Sequence, residues 1–452
     1  MQWEKLINPS RFLEGVPKSE QVQKSRSIFE QDYDRIIFSY PFRCLQDKTQ
    51  VFPLPKTDFV HTRLTHSLEV SSVGRSLGRK AGKVIVDRHP ALLSKGISQF
   101  EIGAIVAAAA LAHDIGNPPF GHSGEDAISA FFTESPLGQK IKKTVASEKW
   151  ADLINYEGNA QGFRLLTNNN FQGLRVTYAT LATFSKYPRE SKIDKVDPNR
   201  KSQKKYGFFQ AEKDVFIETA NKTGLTRLDE ANLVWSRHPL AFLVEAADDI
   251  CYSIIDLEDG CNLGLVSIET VKDLLAPILG NRFNPEKFNR IPLMREKVSL
   301  LRALVISELI EQVSKVFIDL ETDILNGTFD KALTSVIPGE KYLKEIIRIS
   351  VKKIYQSTPV LEKEAAGFEV LSGLLDAFAG ACFDFYTNMG RTGKKNATII
   401  NLFPLDLRQS LETNSDDLYK IMLSCLDYII LMTDTQALET YRKIKGISIP
   451  GF

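Results

Sequence analysis

The run IVAAAALAH, Ile105 to His113, sets four alanines in succession inside an apolar stretch. Alanine has the highest helix propensity and adds little bulk, so the run predicts a helix that its neighbours can approach closely. A capping box opens it, with Ser98 followed three residues later by Glu101. Gly116 closes it, with Pro118 and Pro119 just beyond. A preceding segment repeats Leu64, Leu68, Val73, Leu77, Ala81 and Val84 at steps of three to five, broadly one helical face. A later one starts at His238-Pro239, where Pro suits a first turn, and runs through LAFLVEAADDICYSIIDLEDG to a stop near Gly260. Strand signals are sparse, and the expected fold is all-α.

The chain has 452 residues, 43% apolar and 25% charged, enough for a large core and incompatible with disorder or fibre. Lys186 to Lys205 is polar and basic and reads as a loop leaving the core. Segments such as VKDLLAPIL, LVISELIEQVSKVF and LYKIMLSCLDYIILM continue the helical pattern to the C-terminus without linkers or repeats, which predicts one compact unit. The 57 Lys and Arg against 56 Asp and Glu leave a net charge of +1, so any polyanion site has to be local. Five cysteines, an odd number with no CxxC pair, argue against a disulfide framework or thiolate zinc and for a reducing compartment. The N-terminus MQWEKLINPSRFLEG lacks an apolar leader core, and no stretch approaches the roughly 20 apolar residues of a membrane helix. A cytoplasmic protein with no membrane partner is expected.

Of six histidines, five (His61, His66, His89, His113, His122) fall within residues 61–122. Histidine beside aspartate is metal or acid/base chemistry. His113 and Asp114 point about 100° apart on a helix, so one ion meets both only beside the helix end. His66 and Asp248 are candidates to complete two imidazoles and two carboxylates, a set suited to Mn, Fe, Co or Mg more than to structural zinc. An isolated His-Asp pair is more often a helix-end His beside a capping Asp, and the wider pattern moves the balance. His122 and Glu125 stand i,i+3 at the next helix start, where the acid can orient the imidazole or merely complement the helix dipole. Asp248, Tyr252 and Asp256, at i, i+4 and i+8, share one face that could carry a metal ligand, an aromatic wall and a hydrogen-bond acceptor, or a solvated acidic stripe. Asp249 turns away from that face and reads as structural. Arg63, one turn before His66, is the best placed cation for a polyphosphate, with Lys186 and Lys205 further off. His89 and His238, each before a proline, look structural, and His61 has no assigned task.

Taken in order, RLTHSLEV, AHDIGNPPFGHSGEDA, YEGNAQGFRLL, TYATLATFSKYP, KKYGFFQAEKDVF and AADDICYSIIDLEDG resemble the bacterial dGTPase branch of the HD-domain superfamily, closely over residues 25–265 and more loosely through YIILMTDTQALETY. The resemblance implies an N-terminal segment 1–57 packed on an HD-type core 58–261, whose basic excursion spans 186–214, followed by a C-terminal helical region 262–452. It implies hydrolysis of a deoxynucleoside triphosphate (dNTP), dGTP foremost, to deoxynucleoside and inorganic triphosphate, which would control dNTP pools. His66, His113, Asp114 and Asp248 match the ligands of one divalent metal ion, Mn or Mg first and Fe, Co or Zn as alternatives. His122 matches the catalytic histidine, with Glu125 orienting it. Tyr252 and Asp256 match the deoxyribose contacts, the ring filling the place of a 2′-hydroxyl. Arg63, Lys186 and Tyr187 match phosphate contacts, Gln50 and Val51 the sugar and base wall, and Asn159 lies near the nucleophilic water. Family members form hexamers or tetramers, and some respond to a dNTP effector or single-stranded DNA. One departure is Thr435, which follows Met432-Thr433-Asp434 where the family often carries Arg, and Arg391 is a candidate substitute. The same residues also allow another HD phosphohydrolase, a 5′-nucleotidase or phosphodiesterase, or a nucleotide-sensing scaffold.

Overall fold

The computed structural model describes residues 1–12, 26–51, 61–167 and 174–447. The helices that matter here are α1 (Ile28–Ile37), α2 (Arg63–Arg88), α3 (Gln99–Ala112), α4 (His122–Glu134), α5 (Gly158–Thr167) and α6 (Pro239–Asn262). They are followed by α7 (Met294–Asp319), α8 (Glu340–Ser350), α9 (Thr358–Thr387), α10 (Leu418–Ile430) and α11 (Asp434–Ile444). One short antiparallel ribbon, β1 (Arg227–Asp229) with β2 (Val234–Trp235), pairs Arg227 opposite Trp235. The fold is all-α, as the periodicity predicts.

Local chemistry explains the boundaries. Ser98 accepts from the Phe100 amide while Glu101 accepts from the Ser98 amide, the capping box read in the sequence. α3 ends at Ala112, so His113 to Gly116 form a turn beyond it. Gly116 is there for close approach, since a Cβ would lie 2.1 Å from the Gly158 carbonyl oxygen and 2.2 Å from the Gly162 nitrogen. The turn is pressed onto α5. His238 caps α6 by accepting from the Leu240 amide, and burial lowers its imidazole to about 4, which fits the expected structural role.

The contact between α2 and α3 is built from small residues. Gly74, Gly78 and Gly82 form a stripe on α2, and a Cβ at Gly78 would stand 3.0 Å from the Gly103 Cα. The buried face of α2 is therefore centred on Val70, Gly74, Leu77, Gly78 and Ala81, whereas Leu64, Leu68 and Val84 are only half-buried. Counting apolar residues misplaced that face slightly, because glycine carries the contact without hydrophobicity.

Among the described residues two apolar cores result. In the first, Leu77 of α2, Ile105 of α3 and Leu243 of α6 pack with Leu309 of α7 and Ile346 of α8. In the second, Phe132 of α4, Phe378 of α9 and Leu423 of α10 pack with Trp150. Contrary to the sequence expectation, Val360–Thr387 within α9 is long and apolar enough to cross a bilayer. Its Ala, Phe and Leu side chains mostly face the second core, which produces the same composition.

The Lys186–Lys205 stretch is irregular apart from a 3-10 turn, Lys201–Gln203, but it returns to the core. Arg189 donates from Nε to the Gln203 carbonyl at 3.1 Å, and Lys201 pairs with Glu245 at 3.2 Å. Lys186, Arg189, Ser202 and Gln203 are buried. All five cysteines are free and buried.

Candidate active site

His66 lies in the first turn of α2, and His113 and Asp114 lie in the turn after α3, so the tight α2–α3 contact brings three donors together. Each offers one atom within 4.8 Å of the others. Asp248 of α6 joins them, with Oδ1 3.2 Å from His66 Nε2 and 3.5 Å from His113 Nε2. His113 Nε2 is 3.5 Å from Asp114 Oδ1. Atoms bound about 2.0–2.2 Å from one ion lie roughly 3–3.5 Å apart, so this spacing suits a shared cation. The donation of His113 Nδ1 to the Ala110 carbonyl at 2.7 Å selects the tautomer whose Nε2 lone pair faces inward. His66 Nδ1 is buried without a hydrogen-bond partner among the described residues.

The carboxylates are held ionised, as metal ligation requires. Burial opposes this at Asp114, but His113 and Arg63 outweigh it and hold the carboxyl below the usual range. At Asp248 burial is likewise outweighed, by Lys186 and His113. The contacts are direct: Arg63 Nη1 lies 2.7 Å from Asp114 Oδ2, and Lys186 Nζ lies 2.6 Å from Asp248 Oδ2.

His122 begins α4 after an unusual turn. Phe120 and Gly121 have φ of +63° and +61°, and a Cβ at Gly121 would stand 2.8 Å from Arg63 Nη2. Glycine satisfies both demands. The His122 side chain stays 83% exposed at the cavity mouth, with Nδ1 3.0 Å from Glu125 Oε2. Glu125 is buried, and its Oε1 accepts from the Gly158 amide at 2.8 Å. The hydrogen bond to Glu125 pushes the imidazole above its ordinary value. Burial opposes the Glu125 carboxylate, yet His122 and Lys205 hold it low.

One cavity of about 610 Å³ unites these groups. Gln50, Val51, Arg63, Asn159, Lys186, Tyr187 and Tyr252 all line it with the metal-ligand candidates, His122 and Glu125. Asp256 is absent from the wall. It lies one turn deeper, accepting from the Tyr355 hydroxyl at 2.6 Å, and burial pushes its carboxyl up to about 7. Tyr355 takes the wall position and stacks on Tyr252 at 5.8 Å. It escaped the sequence reading because it ends a π-helical turn, Val351–Tyr355, which breaks the 3.6-residue pattern. Asp249, expected to be structural, also lines the cavity while accepting from the Thr334 hydroxyl at 2.6 Å. Asn159 donates from Nδ2 to Glu157 at 2.6 Å, and Lys205 pairs with the same acid at 2.9 Å.

Comparison with known proteins places the chain in a family. The HD domain family model matches residues 63–157. A deoxyguanosinetriphosphate triphosphohydrolase-like protein of Synechocystis sp. is 43% identical over 99% of this chain and all of its own length. One of the same description from Pseudomonas aeruginosa is 37% identical over the whole of both chains. The deoxyguanosinetriphosphate triphosphohydrolase of Salmonella arizonae is 30% identical over 97% of this chain and 96% of its own. The chain belongs to the deoxyguanosinetriphosphate triphosphohydrolase family. As a member it is an HD-domain phosphohydrolase, and its His66, His113 and Asp114 form a cluster able to hold a divalent metal. The HD match encloses His122 and Glu125 as well, whereas Lys186, Asp248 and Tyr252 come from beyond it.

The His122–Glu125 pair carries a pH signature. Glu125→Gln removes the main cause of the raised imidazole pKa, so the limb of the activity profile governed by His122 is expected to move to lower pH. If the protonated ring is required, activity is then lost earlier as pH rises. If the neutral ring is required, activity persists further as pH falls. A kcat against pH series on both proteins checks this, and superimposable limbs would remove Glu125 from that role.

Proposed function

We propose that the protein hydrolyses dNTPs, dGTP among them, to deoxynucleoside and inorganic triphosphate. The observation carrying this reading is that the His/Asp cluster, His122, three cations and the Tyr252–Tyr355 wall face one cavity large enough for a nucleotide. His66, His113, Asp114 and Asp248 would hold one ion, Mn or Mg first, with Fe, Co or Zn also compatible with the donors. When bound, the ion supplies Lewis-acid polarisation of the α-phosphate.

The remaining steps belong to the chain. Arg63, Lys186 and Lys205 draw the polyphosphate in, and Tyr187 and Asn159 flank it. Lys186 and Arg63 are paired with Asp248 and Asp114, so phosphate binding redistributes contacts already present. His122, exposed at Nε2 and oriented by Glu125, exchanges a proton either with the attacking water or with the departing 5′-oxygen. Gln50, Val51 and Tyr252 bound the sugar side, with Tyr355 in the wall position expected of Asp256.

Incubation of the metal-loaded enzyme with each dNTP, alone and in pairs, is expected to release tripolyphosphate. Monophosphate with pyrophosphate, or orthophosphate alone, would instead mark another phosphohydrolase. Sugar choice is a sharper outcome. A 2′-hydroxyl pressed on the Tyr252 ring loses its water without gaining a partner, at a cost of about 1–3 kcal/mol. The kcat/KM for GTP should therefore fall about 5–150-fold below that for dGTP, and equal values would remove Tyr252 from sugar selection. The proposal includes a cytoplasmic role in limiting dNTP pools. It also includes assembly into a hexamer or tetramer and a response to a dNTP or single-stranded DNA effector, which sedimentation and the paired-dNTP assay measure.

A further inference from the structure

The corner between α10 and α11 reaches both walls of the cavity. Asp434, the first residue of α11, is buried. Its Oδ2 accepts from the Thr49 amide at 3.0 Å and from the Thr49 hydroxyl. Its Oδ1 accepts from the Phe120 amide at 2.8 Å. Thr49 precedes Gln50 and Val51, and Phe120 precedes Gly121 and His122. Lys48 reinforces the corner from the other side, donating from Nζ to the Asn117 carbonyl at 2.8 Å and the Ile430 carbonyl at 2.6 Å.

A buried carboxylate at a helix start is often a cap, but that task is already filled. Thr433 and Gln436 form a complete capping box on α11. Burying a charge is costly unless its hydrogen bonds are satisfied. Here the two oxygens are satisfied by two chain segments far apart in sequence, each leading directly into the cavity wall. The Phe120 amide is presented by a left-handed residue, φ +63°, a strained conformation that needs support from its surroundings.

We propose that Asp434 is a positioning residue, which sets the distance between the Gln50–Val51 wall and His122. The kinetic part of this rests on the triphosphohydrolase reading. Asp434 touches none of His66, His113, Asp114 or Asp248, so its influence passes through the two backbone segments.

The test uses the full-length, metal-loaded protein, with Asp434→Asn, Asp434→Ala and the milder Thr49→Val, which removes only the hydroxyl contact. Amide hydrogen exchange at Thr49 and Phe120 is expected to quicken at least about tenfold in both Asp434 variants, with metal content unchanged by elemental analysis. Tripolyphosphate release should lose about 10–100-fold in kcat/KM, since small displacements at a reacting centre have effects of this size. The loss should divide by wall: Thr49→Val raises KM with kcat kept, whereas Asp434→Asn also lowers kcat. A purely structural Asp434 would lower melting temperature but leave kcat and KM of the folded protein at wild-type values, and that outcome overturns the proposal. Unchanged exchange at both amides overturns it too. Should the wild-type enzyme release no tripolyphosphate from any dNTP, the proposed function fails, and the exchange measurement alone decides the role of Asp434.

Discussion

Replacing His122 with alanine is expected to lower turnover by roughly 10²–10⁴-fold while metal and nucleotide binding persist, if the ring does general acid/base work. The geometry separates these effects. His122 is outside the His66, His113, Asp114 cluster, and its ring is exposed, so its removal neither takes away a ligand nor opens a core cavity. Glu125 keeps the Gly158 amide and the nearby Lys205, which leaves its buried carboxylate with partners. Stability should therefore change little. A kcat at wild-type level, measured alongside metal content and nucleotide affinity, would refute the role. Loss of metal together with turnover would show that the histidine is a ligand.

The parts of this protein legible in its sequence are those set by local physics. Ser98 and Glu101 mark the start of α3, and His238-Pro239 marks the start of α6, because capping depends on neighbours three or fewer residues away. The spacing of Asp248 and Tyr252 follows directly from helix geometry, and both do reach the cavity. What the sequence concealed depends on partners distant along the chain. Asp256 has the right helical phase yet sits behind Tyr355, a residue supplied by a π-helical turn about a hundred positions later. Lys186 and Arg189 belong to a polar, loop-like stretch, and their burial results from ion pairs and carbonyl contacts that composition cannot reveal. His61, without an assigned task in the sequence, lies between Asp259 at 2.8 Å and Glu69 at 3.4 Å, which raise its pKa to about 10 against the desolvation of its ring. His89, read as structural, meets Glu321 at 3.0 Å. The glycine stripe on α2 shows the same limit, since periodicity reports which residues avoid water and is silent on how closely two backbones approach.

Removing the Asp114 carboxylate is expected to abolish metal binding and, with it, activity. Alanine alone would confuse two effects. Asp114 also neutralises the buried Arg63 and accepts from Asn117 Nδ2 at 2.6 Å, and leaving one partner of a buried ion pair unpaired costs about 3–5 kcal/mol. Loss of the Asp114–Asp248 repulsion returns only part of that when no ion is present. Asp114→Asn separates the effects, because its carboxamide oxygen can still accept from Arg63 while the ligand charge is gone. Elemental analysis should show about one metal ion per chain in the wild type and almost none in either variant, with alanine melting lower than asparagine. Chelation supplies the internal control. An ion present at about a hundred times its Kd stabilises the folded state by about 2.7 kcal/mol, so a chelator should lower the wild-type melting temperature and leave Asp114→Asn unmoved. Unchanged metal content in both variants would refute the assignment of Asp114. An equal chelator response in wild type and Asp114→Asn would place the ion elsewhere in the molecule.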